Sequence, residues 1–268
     1  MVSPNPSSAS IGIFDSGFGG LTVMRAVKKL LPNENIIYLG DAARLPYGNK
    51  SADTVIRYTL ESSQFLTSQN IKILIIACHT ASSVALPALT TLHSLPVVGM
   101  VDPCLPALNS KNGKIAILGT HATVSSQIYQ NALKRLSPNT SVSAIACPLF
   151  VPLVEEGFID SPITQESIRH YLLPVKEREI DTVLLACTHY PLLQNVIQDF
   201  LGAGCRLIDP ALNCAESVKT ILHSSGLINN QTEEGRSVFY TTDDPEKFQR
   251  LGATFLGKCI PFVEQVKL

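Results

Sequence analysis

A chain of 268 residues with a net charge of -1 and only 16% charged residues has room for two modest domains and offers no broad basic surface for nucleic acid or an anionic membrane. No apolar run reaches the roughly 18 residues a membrane span needs, and the first ten residues form a polar Ser/Pro arm rather than a basic-then-apolar leader, so a soluble, cytoplasmic protein is expected. Seven cysteines is an odd number with no C-x-x-C pair, which argues against a disulfide framework and a structural zinc site; Cys104, Cys147, Cys205, Cys214 and Cys259 read as reduced, packed thiols.

In chain order, Ile11 to Phe14 reads as a short strand running into Asp15-Ser16-Gly17-Phe18-Gly19-Gly20, with helical spacing from Leu21 to Leu31. A glycine-rich turn between strand and helix presents backbone N–H groups to an anion, or simply makes a tight turn with Asp15 capping the helix. Ile36 to Leu39 is a second strand ending at Gly40-Asp41, and the loop after it carries the turn residues Pro46-Tyr47-Gly48, on which a tyrosine could cover a ligand or pack on the surface. Ser51 caps a long helix to Gln69, Ile71 to Ala77 is a strand, Ala81 to Leu92 a helix, and Val97 to Pro103 a further strand. A second set begins with a strand at Lys114 to Leu118, a polar turn holding Thr120 and Thr123, and a helix at Ser125 to Leu136. Val142 to Ala146 is a strand, followed by an apolar, proline-broken run that ends in Glu155-Glu156. Helix at Ile163 to Val175, strand at Thr182 to Ala186 and helix at Leu192 to Leu201 complete this set. Arg206-Leu207-Ile208-Asp209-Pro210 echoes Val101-Asp102-Pro103 and suggests that the chain crosses back there. Helix from Ala211 to Leu222, a polar surface loop at Thr232 to Arg236, strand from Val238 to Thr241 and helix from Glu246 to Leu256 then rejoin the first set. The expected fold class is α/β, with two pseudo-symmetric lobes of mainly parallel sheet flanked by helices: residues 1–103 plus 210–268, and residues 104–209, with the site in the cleft between them.

Two copies of one phrase organise this pattern. Leu74-Ile75-Ile76-Ala77-Cys78-His79-Thr80 and Leu184-Leu185-Ala186-Cys187-Thr188-His189 each end a buried strand at Ala-Cys and open into polar residues. A following helix and a nearby histidine, His79 or His189, are both expected to lower the thiol's pKa. Two acid/base groups facing one cleft suit removal of a proton from one face of a carbon and its return to the other, which is racemisation. Hydroxyls on the turns (Ser16, Thr80, Thr120, Thr123, Thr188) are suitable donors to a substrate carboxylate.

Ile13 to Leu21, Pro46-Tyr47-Gly48, Ala77-Cys78-His79-Thr80-Ala81-Ser82, Pro148 to Glu155 and Ala186-Cys187-Thr188-His189-Tyr190-Pro191-Leu192 together resemble the glutamate racemases, in order and over nearly the whole chain. The resemblance implies a cofactor-independent enzyme that interconverts L- and D-glutamate and supplies D-glutamate for peptidoglycan. It implies Cys78 and Cys187 as the proton-transfer residues, assisted by Asp15 and His189 respectively, with Asp41 and Glu155 tuning them. Substrate contacts would come from Asp15, Ser16, Pro46, Tyr47, Gly48, His79, Thr80, Thr120, Thr123, Thr188 and His189. It further implies a homodimer and admits DNA gyrase as a secondary partner, since some family members bind it. His79 departs from the family's Ala-Cys-Asn-Thr; a neutral imidazole offers one donor and one acceptor in a bulkier shape, while a charged one could hold Cys78 as thiolate. Racemisation of another acidic amino acid such as aspartate is an alternative that His189 disfavours, and a catalytically weak ligand- or protein-binding homologue is a second, which His79 alone favours.

Overall fold

The computed structural model describes residues 6–108 and 113–268; the first five residues of the polar arm lie outside that description. The elements run β1 (Ser10–Asp15), α1 (Leu21–Leu30), β2 (Ile36–Gly40), α2 (Ala52–Ser68), β3 (Ile71–Ile76), α3 (His79–Leu92), β4 (Val97–Val98) and α4 (Leu105–Leu108). They continue with β5 (Lys114–Gly119), α5 (His121–Ser125), α6 (Ile128–Leu136), β6 (Ser141–Ala146), α7 (Phe150–Glu155), α8 (Pro162–Glu177), β7 (Thr182–Ala186), α9 (Gln194–Leu201) and β8 (Arg206–Ile208). The chain closes with α10 (Pro210–Ser224), β9 (Ser237–Thr241), α11 (Pro245–Leu256) and β10 (Glu264–Gln265).

The strands form two sheets, one ordered β10-β9-β2-β1-β3-β4 and the other β6-β5-β7-β8, with every strand pair parallel. A parallel sheet needs helices on both faces, which is why β3 (Ile-Lys-Ile-Leu-Ile-Ile) is buried along its whole length. Its one charge, Lys72, is neutralised by an ion pair of 2.5 Å to the equally buried Glu34. Set side by side, β2-β1-β3-β4 and β6-β5-β7-β8 are the same arrangement: in each the second strand lies on one side of the first and the third on the other. The first and third strands therefore flank the point where strand order reverses, and their carboxyl ends open a crevice there. Cys78 follows the third strand of one unit and Cys187 the third strand of the other.

Several local expectations are corrected. Strand structure after Val97 is limited to two residues, because Asp102–Cys104 turns into a short 3-10 helix around Pro103. The helix expected at Ser125 to Leu136 is split, with Gln127 in a left-handed conformation between α5 and α6. The proline-broken run is a true helix, α7, in which Pro152 occupies the first turn and so displaces no intrahelical donor. Cys259 is exposed, not packed, since it lies past the glycine that ends α11.

Candidate active site

Asp15, at the end of β1, is fully buried, and its Oδ2 accepts from Gly17 N–H at 2.9 Å. It does not cap α1, whose first turn follows Gly20 without a side-chain cap. The glycines of this turn are required by close packing rather than by unusual dihedrals. A Cβ on Gly20 would stand 2.5 Å from Asp15 Cβ, and one on Gly19 would stand 2.6 Å from His189 Nδ1, across the cleft. Tyr38 Oη donates to Gly17 carbonyl at 2.9 Å and fixes the turn from below.

Cys78 is the N-cap residue of α3, and its thiol lies 3.4 Å from Ser16 Oγ. Burial, and next the negative charge of Asp15, push this thiol up to about 11. The expected lowering does not occur: desolvation of the thiolate outweighs the donors at the helix end. His79 gives no help, because it is buried, neither ring nitrogen has a partner among the described residues, and burial drives its pKa down to about 3. Burial therefore favours the neutral imidazole at physiological pH, against a cationic His79 holding Cys78 as thiolate.

Cys187 ends β7, with its sulfur 4.0 Å from His189 Nδ1, and burial pushes its pKa well up. Unlike Cys78 it caps no α-helix directly; a 3-10 turn at Tyr190–Leu193 intervenes before α9. The charge of Cys78 and of Asp15 acts on it as well, which places both thiols in one electrostatic cluster. His189 Nε2 is 2.9 Å from Glu155 Oε1, so the carboxylate on α7 orients the imidazole toward the sulfur. Phe255 of α11 packs edge-on against the same ring, with centroids 5.0 Å apart. Glu156, the other carboxylate of that pair, is exposed.

Hydroxyls join the two sides. Thr80 Oγ1 lies 2.9 Å from Thr120 Oγ1 and 3.5 Å from Thr123 Oγ1, and Thr188 Oγ1 donates to Asp15 Oδ1 at 3.4 Å. Gly48 abuts Thr120 so closely that a Cβ would come within 2.6 Å of the threonine's own Cβ. The ring of Tyr47 does not lie open on the loop: it is buried against Phe14 and Tyr58, while Pro46 beside it is exposed. Asp41 lies at the end of β2, where its carboxylate accepts from Tyr47 Oη, Arg44 Nε and Thr242 Oγ1.

Sequence reading missed Tyr190, whose hydroxyl donates to the carbonyls of Gly119 (3.1 Å) and Cys147 (2.8 Å) and so ties the ends of β5 and β6 to the Cys187 turn. It also missed Arg44 and Thr242, since an arginine in a loop and a threonine after a strand carry no spacing signal. Gly19 was visible as part of a glycine-rich turn, but the contact that demands it is made with the other lobe.

A family model described as Asp/Glu/Hydantoin racemase matches residues 11–218. The chain belongs to that family. The racemase match extends over whole chains: a glutamate racemase of Geobacter metallireducens is 44% identical over 261 residues, covering 97% of both proteins. Among solved racemases, that of Francisella tularensis in complex with D-glutamate superposes with a TM-score of 0.92 at 34% identity, covering 97% of this chain and 98% of its own. Isoform RacE1 of Bacillus anthracis, also a glutamate racemase, does so with a TM-score of 0.93 at 36% identity, covering 98% of each.

Proposed function

We propose that this chain is a glutamate racemase in which Cys78 and Cys187 exchange the α-proton of glutamate by two-base transfer. The observation that carries the reading is the placement of the two thiols at equivalent points of two repeated units, Cys78 against the Ser16 hydroxyl and within the field of Asp15, and Cys187 against the His189 imidazole. In one direction the Cys78 thiolate takes the α-proton from one face; the electron pair stays on carbon, and the Cys187 S–H proton is delivered to the opposite face. The reverse direction exchanges the roles. High thiol pKa values suit this work, because a thiolate that is hard to form is a strong base once formed, and an α-proton of an amino acid is a weak acid. Burial of the cluster excludes water, and hydroxyls from Ser16, Thr80, Thr120, Thr123 and Thr188 are available to hold the carboxylates of the substrate.

Relatives named glutamate racemase at 41–44% identity over nearly full length, one of them solved with D-glutamate at 34% identity, support glutamate as the substrate. Supply of D-glutamate to peptidoglycan is the corresponding role. No helix among the described residues is long and apolar enough to cross a membrane. Incubation with L-glutamate in deuterated water tests the proposal. Racemisation with deuterium at the α-carbon is expected, and recovery of unexchanged L-glutamate would refute it.

A further inference from the structure

The loop between β2 and α2 brings Gly48 against Thr120 of the opposite lobe, and its own attachment is unusually elaborate. Asp41, buried beside the catalytic strand end through its N–H to Asp15 carbonyl (3.0 Å), collects three donors on one carboxylate. Tyr47 Oη and Arg44 Nε (2.6 Å) meet Oδ2, while Thr242 Oγ1 donates to Oδ1 at 2.8 Å. Thr242 Oγ1 also accepts from Ala43 N–H at 3.0 Å, so the turn after β9 grips the loop at both ends of this set. Arg44 is held in turn by Glu61 on α2 and lies over the Tyr58 ring, 4.2 Å from its centroid. A carboxylate accepting charge-assisted bonds from a planar guanidinium resists both rotation and withdrawal.

We propose that Asp41, Arg44 and Thr242 are positioning residues that clamp the Pro46-Tyr47-Gly48 segment, so that its backbone closes on Thr120 and completes the substrate pocket. Their effect reaches substrate through Tyr47 and Gly48 and not through the thiols. The carboxylate whose charge acts on Cys78 is that of Asp15, whereas both oxygens of Asp41 are engaged by the loop and the β9 turn. The clamp builds on the reading that this cleft binds glutamate.

The test is steady-state kinetics in both directions on Arg44→Ala, Arg44→Lys, Thr242→Val and Tyr47→Phe, with hydrogen–deuterium exchange of the segment spanning residues 42–50. Tyr47→Phe keeps the packed ring and Thr242→Val keeps the volume, so neither depends on surviving a buried charge. Loss of a charge-assisted bond is expected to raise KM for both enantiomers by about tenfold, with kcat changed by less than about threefold. The pH profile of kcat is expected to stay in place, the loop to exchange faster, and Arg44→Lys to recover part of the loss. An unchanged KM, with or without a lower melting temperature, overturns the clamp. So does a shifted kcat profile, which would make Asp41 and its partners tuners of Cys78. Should the wild-type protein fail to racemise glutamate, the functional reading fails on its own, and loop exchange then decides the clamp: faster exchange in the variants supports it and unchanged exchange overturns it.

Discussion

His79 makes the sharpest quantitative prediction. Its ring is buried, without a hydrogen-bond partner among the described residues, and burial lowers its pKa from 6.5 to about 3. As the pH falls below 6.5 the unfolded imidazole takes a proton that the folded one refuses until about pH 3, so acidification across that window stabilises only the unfolded state. The whole gap is worth about 5 kcal/mol, and at pH 5 the portion already lost is about 2 kcal/mol relative to pH 7. His79→Asn removes the titrating group and leaves every other one in place. Urea unfolding of wild type and variant at about pH 7 and about pH 5 is expected to show the wild type losing about 2 kcal/mol more than the variant on acidification. Equal losses in the two proteins would refute the claim that His79 is held neutral by burial. The same variant restores the asparagine of the resembled family, and turnover at neutral pH is expected to hold or rise; a sharp fall would show that the imidazole itself serves the reaction.

Cys78→Ser and Cys187→Ser are each expected to abolish full racemisation, by at least about a thousandfold in kcat, and unimpaired turnover in either would remove the two-thiol mechanism. Because the thiols sit above their ordinary values, the thiolate fraction grows with pH; kcat/KM is expected to climb between about pH 7 and about pH 9, and a flat profile would contradict the thiolate as base. Glu155→Gln leaves His189 without its carboxylate partner and is expected to cost about tenfold in kcat with little change in melting temperature. Gly19→Ala places a methyl group against His189 from across the cleft, so activity is expected to fall by more than about tenfold; wild-type rates would show that the lobes do not need this close approach.

What the sequence made legible follows from which forces are local. The apolar runs ending at Cys78 and Cys187 announce their own strands, and the structure keeps both strands. Asp15, Ser16, Thr120 and Thr188 could be picked out as candidates because turns after strands are written in short, polar, glycine-rich words, and the structure gathers them at the strand ends. Ionisation was not legible: a helix end and a neighbouring histidine argued for low thiol pKa values, but burial, a property of the whole assembly, reversed the direction. Partners brought together by long-range packing escaped as well. Thr242 meets Asp41 from 201 residues away, and Gly19 is shaped by Thr188 and His189, so no window of local sequence could have paired them. Tyr47 was misplaced for the same reason, since only the third dimension shows that its ring turns inward to Phe14.

The repeated strand order has a kinetic corollary. Mirror-image substrates have equal free energies, so the Haldane relation compels kcat/KM to be the same for L-glutamate and D-glutamate whatever the protein does. Yet the two halves differ around their sulfurs, with a carboxylate near Cys78 and an imidazole–carboxylate couple near Cys187. That difference can find expression only where thermodynamics leaves freedom: kcat and KM must rise or fall together when the direction is reversed, and the enantiomer with the lower KM must be the one that turns over more slowly.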